Sequence, residues 1–113
     1  MVIACLVRLP GVQFQEAVNG LDAIEKLALQ PFDLMVLDLN MPDMHGMEVI
    51  RFLRTHDAYR EIPILVLTTK SDQTTRSSAL SAGATSYMTK PFDPRELFRE
   101  ASRLLKLEKE ALQ

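Results

Sequence analysis

Cysteine is nearly absent. Cys5 stands alone among 113 residues, so no disulfide can form within the chain, which suits a reducing compartment. Cys5 lies in an apolar run, where an inert buried thiol is the expectation. Long hydrophobic stretches are lacking too. The apolar start from Met1 to Leu9 is far too short to span a bilayer. It has no basic leader, and Leu9-Pro10-Gly11 makes a poor cleavage site, so it does not read as a signal peptide. A strong excess of one sign of charge is also lacking. A net charge of -2 gives no reason to propose nucleic acid or an anionic membrane as a partner. There is no linker, repeat or low-complexity tract, so residues 1–113 are expected to form one domain, soluble and cytoplasmic. His45 and His56 are isolated, and neither pairs at metal or triad spacing. No nucleophile–base pair is apparent, so the chain is not expected to be an enzyme.

What is present is material for a core. Hydrophobic residues make up 47% of the chain and charged ones 25%, outside the range of disordered sequences. Val12 to Val18 reads as a strand, alternating at its start as a sheet edge does. Asn19, with Asp22 three residues on, caps a helix carrying Leu21, Ile24, Leu27 and Ala28 on one face. Leu34 to Leu37 is a continuous apolar strand, the pattern of burial on both faces. A helix from Met47 to about Thr55 follows, then a second buried strand, Ile62 to Thr68. A helix opening at Ser71 ends at Ala82-Gly83-Ala84, with glycine suited to a left-handed cap. It is poor in large apolar residues, so its core face is thin. Thr85 to Thr89 is a short last strand. Asp93-Pro94-Arg95-Glu96 is a strong helix start, followed by a stripe of Leu97, Phe98, Ala101, Leu104 and Leu105. Strands alternating with helices argue for an α/β fold, a parallel sheet covered on both faces.

Three strand ends carry the chemistry. Phe32-Asp33-Leu34-Met35-Val36-Leu37-Asp38 ends on an acid and turns through Asn40 and Pro42, which presents Asp38 at a strand tip. The next strand ends on Thr68 and the last on Lys90-Pro91. In open α/β sheets ligands bind outside the carboxyl ends of the strands. An acid, a hydroxyl and an ammonium there suit the capture of a phosphoryl group.

With these residues in view, the chain resembles the receiver domain of two-component response regulators, including the single-domain chemotaxis type. The matching stretches are Glu16-Ala17-Val18-Asn19-Gly20, Asp33 through Gly46, Ile64-Leu65-Val66-Leu67-Thr68-Thr69, and Ala82-Gly83-Ala84 through Lys90-Pro91-Phe92. No single motif is decisive, but the ordered set is highly specific. The resemblance implies a flavodoxin-like sheet in strand order 2-1-3-4-5. It implies Asp38 as phosphoacceptor, Lys90 and Thr68 as contacts of the phosphoryl group, Tyr87 as a switch aromatic, and a cis bond before Pro91. It also implies Mg²⁺, held by an acidic pair at the end of the first strand, by the phosphoacceptor and by a backbone carbonyl two residues on. Here only Asp38 and the carbonyl of Asn40 can be placed, so Mg²⁺ is expected to bind weakly. Asp33 lies at the wrong end of its strand, and Asp43 could help only if its loop folds inward.

The fold is therefore expected to be incomplete at its N-terminus, with the first βα unit partly missing. Met1 to Leu9 has two readings. One is the end of the family's first helix. The other is a strand from Met1 to Val7, which the short Arg8-Leu9-Pro10-Gly11 turn would force into an antiparallel hairpin or an exchange between chains. Loss of a central strand would expose ladder edges and favour a homo-oligomer.

Lys70 stands at the expected rim of the site, where a solvated lysine is the default. Met41, Met44 and Met47 suit packing rather than a ligand set. The resemblance makes the chain a signalling receiver that accepts a phosphoryl group on Asp38 from a histidine kinase or a small phosphodonor. The surface of the Ser71 helix, last strand and last helix then changes its affinity for a downstream protein. The alternatives are a receiver-like interaction module independent of phosphorylation, or a truncated receiver. A flavodoxin-type cofactor binder would need a phosphate-cradling loop after the first strand, which is not found here.

Overall fold

The computed structural model describes residues 4–8, 13–18, 20–38, 46–69 and 73–111. In chain order these form β1 (Ala4–Arg8), β2 (Gln13–Ala17), α1 (Gly20–Leu29), β3 (Leu34–Asp38), α2 (Gly46–Thr55), β4 (Ile64–Thr68), α3 (Gln73–Ala82), β5 (Ser86–Thr89) and α4 (Pro94–Ala111). One five-stranded sheet runs β2-β1-β3-β4-β5. β3, β4 and β5 pair in parallel. β1 is antiparallel to both β2 and β3, so four of the five strands share a direction and β1 opposes them.

The helix-remnant reading of Met1 to Leu9 is thus corrected. Ala4 to Arg8 is a strand, and it occupies the position between β2 and β3. Its apolar residues face both ways: Leu6 is fully buried among the α1 and α2 residues, and Cys5 packs on the opposite side. A helix would leave the facing edges of β2 and β3 unpaired, whereas a strand satisfies both. The four residues joining β1 to β2 are too few for a parallel crossover, so β1 enters backwards. The premise of an oligomer joined through exposed central edges falls with this, because β1 fills that gap.

The sheet divides the core. Leu6, Ala17, Met35, Leu37, Ile64 and Val66 point to one face, where they meet Ala23 and Leu27 of α1, Val49, Ile50 and Leu53 of α2, and Ala79 of α3. Cys5, Leu34, Val36, Leu65, Leu67 and Met88 point to the other, where Leu97, Ala101, Leu104 and Leu105 of α4 cover them. Each large apolar side chain buried there contributes roughly 1.5–3 kcal/mol. Ala79 is the buried contact of α3, in keeping with its thin face. Gly20 lets α1 approach α2: a Cβ there would lie 2.7 Å from Val49 Cγ2.

Helix starts follow the expected caps. The Asp93 carboxylate accepts from the Arg95 N–H at 2.8 Å, opening α4. The Asp22 carboxylate accepts from the Val18 N–H at 3.0 Å and from the Lys26 ammonium at 2.7 Å. Asn19 lies outside the described residues. These contacts hold three carboxyl groups below their ordinary range: Asp22 through Lys26 and then Val18, Asp93 through Arg95, and Glu100 through Arg103 and then the Ser86 hydroxyl. A carboxylate depressed in the folded state adds stability above its unfolded range and loses it as pH falls. The melting temperature is therefore expected to drop between about pH 5 and pH 3, and less steeply in Asp22→Asn. Melts followed by circular dichroism across that interval check this.

Candidate functional site

The carboxyl edge of the parallel strands gathers the residues singled out from the sequence. Asp38 is the last residue of β3 and Thr68 the last of β4, and Lys90 follows directly on β5. Alternation along β3 sends Asp38 to the same face as Leu34 and Val36. Lys90 follows Met88 by two residues and emerges on that face too. The two meet, with the ammonium nitrogen of Lys90 2.5 Å from Asp38 Oδ2. Both side chains are about three-quarters buried, at 28% and 22% exposure, so the pair is less screened by solvent than a surface salt bridge.

The backbone sets Lys90 in place. Its N–H donates to the Thr68 carbonyl at 2.7 Å, and its bond to Pro91 is cis. Thr68 is buried, and its side chain alternates to the face of Ile64 and Val66. Tyr87 pairs in register with Val66 and packs half-buried against the same cluster. Tyr87 and Thr68 thus share one face, two residues apart in register. Asp33 precedes β3 and sits at the far end of that strand, as its sequence position implies. Asn40, Met41, Asp43, Met44, His45 and Lys70 lie outside the described residues. Met47 packs against the core. His56 is exposed, stacks at 3.9 Å on Phe52 and has Nδ1 2.8 Å from the Phe52 carbonyl.

The described residues do not fit a resident Mg²⁺ site. Among them no group of three or more His, Cys, Asp or Glu could hold a metal ion. β1 brings no acid to Asp38. It is antiparallel, so its Ala4 end lies beside the end of β3, and its Arg8 end lies beside the start. Among the described residues, Lys90 sets a positive charge against Asp38.

One residue of structural weight carries no sequence signal. Arg54, near the end of α2, donates to the carbonyls of Gly83 at 2.8 Å, Arg60 at 2.9 Å and Tyr59 at 3.4 Å, and to Thr85 Oγ1 at 3.2 Å. Thr85 Oγ1 also accepts from the Ile64 N–H at 3.0 Å. Arg54 thereby joins the end of α2 to the α3–β5 turn and the start of β4.

The family model described as the response regulator receiver domain matches residues 1–102. The chain belongs to the response regulator receiver family. The receiver is 36% identical over 102 residues to the cyclic di-GMP phosphodiesterase response regulator RpfG of Xanthomonas campestris, covering 90% of this chain and 27% of that protein. It is 35% identical over 96 residues to the transcriptional regulatory protein GltR of Pseudomonas aeruginosa, covering 85% and 40%. The receiver therefore spans about a quarter to two-fifths of these relatives. Among solved structures, the receiver domain of a signal transduction histidine kinase from Syntrophus aciditrophicus superposes with a TM-score of 0.75 at 34% identity, covering 85% of this chain and 73% of that one. The receiver domain of the sensor histidine kinase PA1611 from Pseudomonas aeruginosa, solved with a magnesium ion in its active-site cleft, gives 0.69 at 31% identity, covering 78% and 72%. Magnesium thus occupies the cleft of a related receiver, whereas the described residues here supply one carboxylate.

Proposed function

We propose that this receiver accepts a phosphoryl group on Asp38. A carboxylate oxygen of Asp38 attacks phosphorus in line. The bond from phosphorus to the donor, a kinase phosphohistidine or a small acyl phosphate, breaks, and its electron pair leaves with the donor. Lys90 stands ready to neutralise a phosphoryl oxygen, and the Thr68 hydroxyl to donate to another. Tyr87 shares the face of Thr68, so a shift of Thr68 towards the phosphoryl group is read at β5 and at the surface formed by α3, β5 and α4. The observation that supports this reading most is the Asp38–Lys90 contact of 2.5 Å at the carboxyl edge.

A histidine kinase on one side and a downstream protein on the other are the partners this reading requires, with residues 1–113 acting as one receiver unit in the cytoplasm. Among the described residues no helix is long and apolar enough to cross a membrane. The phosphodiesterase and transcriptional roles in the relatives' names belong to proteins much longer than this chain. The exclusion of nucleic acid drawn from composition is confined to these 113 residues. It does not extend to a longer regulator of the GltR kind. The chain itself is read as a switch rather than an enzyme.

Mg²⁺ would find Asp38, the Asn40 carbonyl that the family pattern supplies, water and the donor's own oxygens. The Mg²⁺ concentration giving half-maximal phosphorylation is expected to be at least about tenfold above that of a receiver with two further carboxylates. Intact mass after incubation with acetyl phosphate and Mg²⁺ tests the proposal. One phosphoryl increment is expected, absent in Asp38→Asn. No increment in a folded protein would sink it and leave the phosphorylation-independent interaction module, a reading favoured by the lack of a metal-holding cluster among the described residues.

A further inference from the structure

β5 is the shortest strand of the sheet and its last. Among the described residues it pairs with β4 alone, and its four residues are only half-buried. A strand with so little packing of its own opens readily. Yet β5 delivers Lys90 to Asp38, and both of its ends are tied to β4. At the carboxyl end the Lys90 N–H donates to the Thr68 carbonyl at 2.7 Å.

At the amino end Thr85 and Ile64 bond twice. The Thr85 N–H donates to the Ile64 carbonyl at 2.8 Å, and the Ile64 N–H donates back to Thr85 Oγ1 at 3.0 Å. A side-chain oxygen thus stands in the ladder where β4 and β5 begin. Ile64 is fully buried, so its N–H has little recourse to water. Arg54 completes the corner. It donates from Nη2 to the same Oγ1 at 3.2 Å and from Nε to the Gly83 carbonyl at 2.8 Å. A hydroxyl oxygen accepts two hydrogen bonds, and here both are in use. The turn into β5 is therefore fixed from α2 as well as from β4.

We propose that Thr85 and Arg54 are positioning residues for phosphoryl transfer, acting through Lys90 from the far end of β5. The inference rests on Asp38 being the phosphoacceptor. Thr85 and Lys90 bracket β5, about 16 Å apart at roughly 3.3 Å per residue. With its amino end pinned, β5 neither slides along β4 nor peels from it. The ammonium then arrives at one point, 2.5 Å from Asp38 Oδ2. With that end loose, β5 frays and Lys90 samples other positions. A misplacement of about 1 Å at a reacting centre costs about 100-fold in rate, even when its cause lies far off. Partial fraying is expected to cost less, about tenfold. Thr85 shows this role better than Arg54, whose other acceptors serve the fold.

Two substitutions at one position test this in the full chain. Thr85→Val keeps the shape of the side chain and removes the acceptor, whereas Thr85→Ser keeps the acceptor. Thr85 is exposed, so both variants should fold, and thermal melts verify this. Timed intact mass with acetyl phosphate is expected to show transfer about tenfold slower in Thr85→Val and within about twofold of wild type in Thr85→Ser. In a Lys90→Ala background Thr85→Val should change the rate by less than about twofold, because the group it positions is gone. Ala23→Gly, which loosens buried packing in α1, controls for general loss of stability and is expected to leave the rate intact. One readout needs no phosphoryl group. Exchange of the Lys90 amide, followed by NMR, should quicken at least about tenfold in Thr85→Val and in neither Thr85→Ser nor Ala23→Gly. A wild type that takes no phosphoryl group sinks the reading of Asp38, and the Lys90 amide then judges the tie to Thr85 by itself. An unchanged rate in Thr85→Val, an equal slowing in the Lys90→Ala background, or a Lys90 amide indifferent to Thr85→Val overturns the proposal.

Discussion

Lys90→Ala is expected to slow phosphoryl transfer from acetyl phosphate to Asp38 by about 100-fold or more, with only a modest loss of stability. Removing one preorganised donor aimed at developing charge typically costs about 10²–10³ in rate. Here the effect should lie at or above the lower limit. Among the described residues no metal cluster stands by to take over the neutralisation, and the ammonium already sits 2.5 Å from the nucleophile. The stability cost should be only about 1–2 kcal/mol, since both partners keep some access to water that can solvate Asp38 once the lysine is gone. Lys90→Arg should recover little. A planar guanidinium on a differently shaped stem cannot place one compact charge at the same point. Quenched-flow or timed intact-mass measurements, beside a melt of each variant, separate the two effects. A rate within threefold of wild type would mean that Lys90 holds the fold rather than the phosphoryl group.

Much of this site was legible because the signals are local. Leu34 to Leu37 and Ile64 to Leu67 are apolar runs bounded by turns, so their ends could be placed to within a residue or two, and with them Asp38 and Thr68. Asp93-Pro94 announced α4 through the chemistry of a cap. β1 was not legible in the same way. Met1 to Val7 is apolar throughout and satisfies helix and strand patterns alike. What decides it is the gap between β2 and β3, a tertiary fact, and what decides its direction is the four-residue connection. The contact between Asp38 and Lys90 joins positions 52 apart, and could be anticipated only through strand order.

Arg54 is the residue for which sequence reading offered nothing, and it carries the largest expected stability effect. A solitary arginine late in a helix ordinarily extends into solvent. This one is half-buried, and burial pushes its guanidinium below the ordinary value, a cost that its four acceptors offset. Arg54→Ala is expected to lower stability by about 2–3 kcal/mol, near 10 °C in melting temperature for a domain of this size. Two of its acceptors, the Gly83 and Arg60 carbonyls, would have to find water instead. Arg54→Lys should restore less than half, because one ammonium cannot span carbonyls on both sides of the α3–β5 turn. Gly83 provides a cross-check. Its φ of 123° disfavours any side chain, and an added Cβ would lie 2.4 Å from Arg54 Cγ. Gly83→Ala therefore suffers two penalties, one from the backbone and one from Arg54. Only the second disappears in the Arg54→Ala background. The double variant should accordingly be more stable than the sum of the single losses predicts, by about 1 kcal/mol. Strict additivity in chemical denaturation would mean that Arg54 swings away from Gly83 in solution and that the α2 to α3–β5 tie is not made.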